Sequence, residues 1–500
     1  MKKLPVMLTG VLALLACVAL IYFEPPFLAA VSRQTFDIYL RTAAQAPQSG
    51  SVVLLDIDDL SLATYGQWPW SRRLLRRLTE RLWEEGAAVV VYDIVFPEED
   101  RTSPLVALQT WRREFGENIS IDGLPDAAWN HDADFAAALA KGKSILGCFM
   151  EVVQEPLAEV DPNLDTLYRG RYFESGTPQP YMLLQARSVV HSIPELQRAS
   201  QSTAFFNTTG DKDGIIRRTP MLCALGPMRI YPALSLEAVR LFKNVDKTRI
   251  TYDDKVFGGV QDIRLKDTTV PVDKNGGLVL NFRAAPFPRI SAHTVLAGTV
   301  ESGSLSNKIV FIGTSAAGLK DLVATAFRFE TPGMEVHATA ADNMLAGDML
   351  REPRWMFYAN LAGVLIMGFI LIVFISEVRA WIGFFAALTS IVASFYGSFW
   401  LLKEHQLVAA PAEFALSVLL IYTFITVVKY WLEERDRRKV RRLFGTMVSS
   451  DVLRYMEDSE GRSALVGRKV EATVFFSDIA NFTTMSELLD PDVLSNLMNR

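Results

Sequence analysis

SVVLLDIDDLSLATYGQWPWSRRLLRRLTERLWEEGAAVVVYDIVFPEED, residues 51–100, holds two buried-strand patterns with one amphipathic helix between them. SVVLLDIDD (51–59) is an aliphatic, β-branched run that ends on carboxylates, as a strand covered on both faces does. After GQWPWSR (66–72) the pattern changes period: Leu74, Leu75, Leu78 and Leu82 share one face, which predicts a helix over Arg72–Glu85 ended by Gly86. GAAVVVYDIVFPEED (86–100) is a second strand leading into another acidic loop. Two strands that flank one helix make a right-handed β-α-β crossover, the unit of a parallel sheet.

Outward from this unit, short β-branched runs alternate with amphipathic helices from Val31 to Leu350, which predicts a parallel or mixed sheet flanked by helices. WNHDADFAAALAKG (129–142) reads as an Asp-capped helix ending at Gly142, before the strand KSILGCFM. KIVFIGTSAAGLKD (308–321) reads as a strand, a turn and a helix start. Open α/β sheets place ligands at the carboxyl ends of their strands. Asp56, Asp58, Asp59, Asp93 and Asp100 lie at such ends and suit a hard cation if they converge; turn capping and solvation are the plainer roles. Thr314, Ser315 and Asp321 read as a turn and cap, and His131, His191, His293 and His337 are dispersed. Cys17, Cys148 and Cys223 lack metal-ligand spacing and read as buried thiols.

About 20 apolar residues span a bilayer core as a helix. Four runs reach that length: Leu4–Phe23, Trp355–Ile375, Ala380–Leu402 and about Ala410–Trp431. The first is too long for a signal-peptide core and reads as an uncleaved anchor, closed by Pro25 and Pro26. Lys2 and Lys3, Arg379, and EERDRRKVRR (433–442) place three flanks on the cytoplasmic side, so residues 24–354 lie outside. Glu413, beside Pro411, reads as an interfacial carboxylate. With a net charge of −5, the chain lacks the basic balance that nucleic-acid binding asks for.

The ordered motifs GQWPWSR, AAVVVYDIVFPEED, FNTTGDKDGIIRRTP (206–220), KIVFIGTSAAGLKD and TPGMEVHA (331–338) resemble a CHASE type-2 domain over about Phe27–Leu350. The resemblance implies an extracytoplasmic sensor of a bacterial inner-membrane receptor, periplasmic or extracellular, with an unidentified ligand. It also implies three spans after the sensor and a cytoplasmic output module, the layout derived above from hydropathy.

Residues 432–466 resemble the helical transducer that precedes bacterial cyclases, notably in LFGTMVSSDVL. VEATVFFSDIANFT (470–483) then alternates as a buried strand ending at Asp478, with helical segments behind it. FFSDIANFT is similar to the first-strand motif of class III nucleotide cyclases. By that resemblance Asp478 is one of two metal-binding aspartates and the Ile479 carbonyl is a further ligand, while the amides of Ala480, Asn481, Phe482 and Thr483 lie near the triphosphate. Asn481 stands where the family often has glycine. The implied cofactors are two divalent cations, magnesium or manganese, which suit oxygen ligands and an attack of the ribose 3′-oxygen on the α-phosphorus.

The expected protein is therefore a multi-domain membrane receptor: an anchor (1–23), an α/β sensor (27–350), three transmembrane helices (355–431), a transducer (432–466) and the start of an α+β cyclase domain (470–500). It converts ATP to cyclic AMP and pyrophosphate as a homodimer; guanylate cyclase, or a different or inactive output, is the alternative. The chain is expected to stop inside the cyclase, whose remaining catalytic groups lie beyond Arg500, and to be inactive alone.

Overall fold

Apolar alternation in the sensor strands is resolved by a sheet with a core on each face. Val52, Leu54, Val89, Val91, Ile309 and Phe311 enter one core; Val53, Leu55, Val90, Tyr92, Val310 and Ile312 enter the other. In this computed structural model the described residues are 3–43, 47–116, 120–125, 128–153, 170–226, 229–253, 258–316, 319, 321–445, 471 and 473–498. They fall into two units, Met1–Val428 and Lys429–Arg500.

Along the chain, α1 (Lys3–Phe23) meets α2 (Pro26–Ala43) at Glu24, whose φ is 41°. The Pro25–Pro26 pair thus redirects the chain into a second helix, since proline is at home in a first helical turn. The opening crossover is β1 (Val52–Ile57), α3 (Asp59–Tyr65), α4 (Arg72–Glu84) and β2 (Val89–Tyr92). Ser71 caps α4 by accepting from the Leu74 amide. Next come α5 (Pro104–Phe115), α6 (His131–Leu139), β3 (Ser144–Val153), β4 (Tyr172–Ser175), β5 (Leu184–Val190), α7 (Pro194–Ala199) and β6 (Ser202–Phe205). β7 (Arg218–Pro220), β8 (Leu222–Leu225), β9 (Arg229–Pro232), α8 (Leu234–Phe242), β10 (Thr248–Tyr252), β11 (Val260–Leu265) and β12 (Thr268–Pro271) follow. The sensor closes with β13 (Gly277–Val279), β14 (Arg289–Ser291), α9 (Ala292–Ala297), β15 (Ile309–Thr314), β16 (Leu322–Val323), β17 (Thr331–Pro332) and α10 (Gly333–Ala346).

The main sheet has nine strands in the order β14-β1-β15-β2-β3-β5-β8-β9, with β6 also on β3. β14, β1, β15, β2 and β3 are mutually parallel, and β15 slots between β1 and β2, pairing Val52 with Ile309 and Ile309 with Val89. The crossover read from residues 51–100 therefore skips one strand, which arrives more than two hundred residues later. A smaller sheet, β12-β11-β10-β4, lies beside it. At Gly147 in β3 an added Cβ would meet Phe206 at 2.7 Å and the Tyr92 and Ile94 carbonyls at 2.9 and 3.0 Å, so only glycine lets these backbones approach.

Two local expectations are corrected. The α6 cap is Asn130, whose Oδ1 accepts from the Asp132 and Ala133 amides at 3.0 and 3.1 Å, and the helix ends at Leu139 before Gly142. Asp132 is instead committed to the Asp100 amide at 2.9 Å and to Arg72 at 3.3 Å. After β15 the described residues begin no helix until Gly333, because Ser315 turns back to bind Asp56.

Four helices are long and apolar enough to cross a membrane: Leu4–Phe23, α11 (Trp355–Glu377), α12 (Ala380–His405), and Pro411–Lys439 within α13 (Pro411–Gly445). Glycines set their packing: a Cβ on Gly10 would lie 2.9 Å from Ile372, and one on Gly368 would lie 2.6 Å from Leu14. Asn360 of α11 donates to Glu413 of α13. In the second unit the described residues beyond α13 form two short helices, Phe482–Leu488 and Pro491–Met498. The strand expected at 470–478 is absent among them; residues 473–479 are irregular. A strand is stabilised by a partner's ladder and a face to bury, and among the described residues these have neither, with Phe475 and Phe476 86% and 89% exposed. The expected transducer residues 446–466 lie outside the described residues.

Candidate functional site

At the carboxyl edge of the main sheet, Asp56, Asp58 and Asp100 are each held by their own local donors. Asp56, in β1, accepts the Ser315 amide at 2.9 Å and the Ser315 hydroxyl at 2.6 Å, with Arg289 at 3.6 Å. Burial pushes its carboxyl above the ordinary range, and Ser315 and Arg289 offset part of that. Asp58 caps α3, accepting from Ser61 N–H at 2.8 Å, Ser61 Oγ at 2.6 Å and Ser291 Oγ at 3.0 Å. Burial opposes ionisation there, yet these bonds hold the carboxyl below the usual value. Asp100 accepts from the Arg72 amide at 2.7 Å and from Thr102 at 2.8 Å, with His131 Nδ1 at 3.2 Å. Asp93, just past β2, is raised well above the ordinary range by burial, and the charge of Asp321 adds to the effect. Asp59 lies in the first turn of α3.

These five carboxylates do not converge. Among the described residues no three His, Cys, Asp or Glu side chains gather closely enough to hold a metal ion. The turn role expected for Thr314 is present, its hydroxyl donating to the Ile57 carbonyl at 3.0 Å, and the Asp321 carbonyl accepts the Gly333 amide at 3.0 Å. The histidines are separate. His337 is buried in α10 beside the Phe206 carbonyl at 3.0 Å, and burial lowers its imidazole to about 4, so it stays neutral. The three cysteines are buried, and burial pushes the Cys223 thiol up to about 12.

The densest charged constellation of the sensor lies in FNTTGDKDGIIRRTP, at the point where the domain joins two membrane helices. Arg217 is only 3% exposed. Its Nε and Nη2 grip both carboxylate oxygens of Asp37 in α2 at 2.7 and 2.9 Å. Nη1 donates to Asp211 at 2.8 Å and to Asp213 at 2.9 Å. Burial works to lower this guanidinium, and the bonds to Asp37, Asp213 and Asp211 outweigh it, so it is raised and charged. The next residue, Arg218, reaches Asp273 at 3.1 Å and Glu352 at 3.2 Å, three residues before α11. A second strut, Arg283, is held by Asp342 at 2.8 Å and by Asp348, at the end of α10 and just beyond it. Adjacent arginines therefore fasten the same turn to the helix that leaves α1 and to the segment that enters α11. Sequence reasoning quoted this motif only as a mark of resemblance; the signal in it was an acid pair three residues before an arginine pair, but the partner Asp37 lies 180 positions away.

For the predicted output site, residues 479–482 form one turn, just after Asp478, that leads into the helix Phe482–Leu488. Asp478 Oδ1 accepts the Ile479 amide at 2.8 Å, and the Ile479 carbonyl accepts from the Phe482 amide at 3.2 Å. No cation pairs with Asp478 among the described residues. Asn481 has φ 59°, ψ 26°, the left-handed conformation that glycine adopts most readily and asparagine tolerates. Ala480, Asn481, Phe482 and Thr483 are contiguous here, but Asp478 and Ile479 offer two oxygens where a magnesium ion takes about six. The described residues alone do not complete such a site.

Compared with known proteins, the CHASE2 domain family model matches residues 12–376, from inside α1 to the last turn of α11. No curated protein and no solved structure matches the chain.

Proposed function

The chain belongs to the CHASE2 domain family, and on that premise we propose that it is a transmembrane receptor adenylate cyclase, converting ATP to cyclic AMP and pyrophosphate in response to an extracytoplasmic signal. CHASE2 domains are extracellular sensor domains of signalling receptors, and four candidate membrane helices accompany this one. The sensor faces the outside of the bacterial inner membrane, the side opposite the basic flanks Lys2, Lys3, Arg379 and 433–442. A reporter enzyme fused after Arg218 is expected to be active only when it requires the extracytoplasmic compartment; activity of a cytoplasm-requiring reporter at that junction would overturn the topology.

The output reading is carried by the FFSDIANFT turn. Asn481 adopts the backbone conformation that a glycine of the cyclase motif would favour, so its departure from the motif leaves the turn intact. Asp478 supplies an exposed carboxylate at the residue before that turn. In the assembled catalytic domain Asp478 and the Ile479 carbonyl would be ligands of a magnesium or manganese pair, and the amides of Ala480 to Thr483 would lie near the triphosphate. When bound, the ions neutralise charge on pyrophosphate and lower the pKa of the ribose 3′-hydroxyl. The receptor works as a homodimer. Membranes carrying the full-length protein are expected to form cyclic AMP from ATP with magnesium or manganese. Absence of product from both ATP and GTP, in protein shown to be inserted, would sink the output assignment.

A further inference from the structure

We propose that α2 is an in-plane membrane helix whose Phe27, Val31 and Ile38 dock on the lipid bilayer at the boundary between headgroups and acyl chains, while its opposite face carries the sensor. The three side chains are 56%, 46% and 61% exposed. At 100° per residue they fall within an arc of about 40° on the helix. Gln34, Arg41 and Thr42 are exposed on the same side. That mixture of three apolar anchors with polar neighbours fits the interfacial zone and does not fit the acyl core.

Outside this arc the helix packs on protein. Leu28, Thr35, Asp37 and Leu40 are buried, and Asp37 is the carboxylate held by Arg217. Continuity with the membrane surface identifies the occupant. α1, a candidate span, ends on Tyr22 and Phe23, 72% and 78% exposed, and α2 starts three residues later. Farther along, Tyr39 donates to the Phe395 carbonyl of α12 at 2.7 Å and packs its ring 5.5 Å from Phe399. Both ends of α2 are thus tied to membrane helices: its start follows directly on α1, and Tyr39 reaches Phe395 and Phe399, ten and six residues before the end of α12. Between them the Phe27, Val31 and Ile38 stripe stays 46–61% exposed among the described residues, and it follows in the chain on the exposed Tyr22 and Phe23 that end α1. A sensor fixed through Asp37 to a helix lying in the interface can pass a tilt or rotation to α1 without altering the α/β core.

The test uses the full chain in liposomes of mixed zwitterionic and anionic phospholipid. Single spin labels are placed at Phe27, Val31 and Ile38, with Tyr22 as the lipid reference and Glu114, exposed on α5, as the water reference. The α2 labels are expected to relax faster with oxygen than with a water-soluble nickel chelate, as at Tyr22, and Glu114 to show the reverse. Nickel accessibility at positions 31 and 38 equal to that at 114 would overturn the proposal. Strong dipolar broadening between copies at position 38 would also overturn it, by assigning the face to a second copy. A photoactivatable phospholipid supplies the same decision on the unsubstituted chain: adducts are expected on peptides covering α2, and adducts confined to the four spans would count against it.

Discussion

On the proposed cyclase function, Asp478→Asn is expected to lower cyclic-nucleotide formation in membranes by about two decades or more at unchanged protein level. The substitution keeps the shape of the side chain and removes the charge that holds a divalent ion. Losing several kcal/mol of transition-state stabilisation, at about 1.4 kcal/mol per factor of ten, gives that size of effect. Folding and insertion are expected to be unchanged, because the carboxylate touches only the Ile479 amide and is paired with no cation among the described residues. The measurement is product formed against magnesium or manganese concentration, with immunodetected receptor as the normaliser. Near-wild-type activity at ordinary metal concentration would return Asp478 to the role of a turn-forming acid and remove the visible support for a cyclase.

Arg217→Met is expected to be the most damaging single change in the sensor. It takes a guanidinium from a buried carboxylate, Asp37, and from Asp211 and Asp213 beside it, of which Asp213 keeps Arg33 at 3.3 Å and Asp211 keeps Arg218 at 3.9 Å. Breaking a buried ion pair from one side costs about 3–5 kcal/mol, because the remaining charge stays desolvated. Arg218→Met costs less, since Arg218 is 39% exposed and water replaces its bonds. Thermal unfolding of the detergent-solubilised chain reads both. Asp37→Asn placed on Arg217→Met is expected to recover part of the loss, and strict additivity of the two would show that they do not interact.

The same node has an acid limb. The bonds from Arg217 hold the Asp213 carboxyl at about 2, below its ordinary 3.8. A depressed carboxylate contributes stability above its unfolded value and loses it as the pH falls through the folded value. The contribution is therefore complete above 3.8 and disappears toward 2, and Arg217→Met flattens this part of the profile.

Much of the architecture is local and was legible before any coordinates. A run of about 20 apolar residues crosses a bilayer whatever surrounds it, so α1, α11, α12 and α13 follow from composition alone. The helix Arg72–Glu84 follows from leucines on one face between Ser71 and Gly86, and β1, β2 and β15 from aliphatic runs of strand length. Order within the sheet was not legible, because pairing is chosen by the whole core: β15 enters between β1 and β2 although nothing in residues 309–314 specifies those neighbours. The same holds for Asn130, which caps α6 because Arg72 and the Asp100 amide claim the neighbouring Asp132. Residues 473–479 show the limit from the other side, since an alternating pattern states which face a strand would bury but supplies no partner for its backbone. The membrane-facing fastening is wholly tertiary: Arg217 and Asp37 carry no mutual signal in sequence, and only the fold that sets α2 against the GDKDG turn brings the two charges to 2.7 Å. Periodicity and apolar length are properties of neighbouring residues, whereas strand order and the partner of a buried charge are settled by which distant surfaces exclude water together.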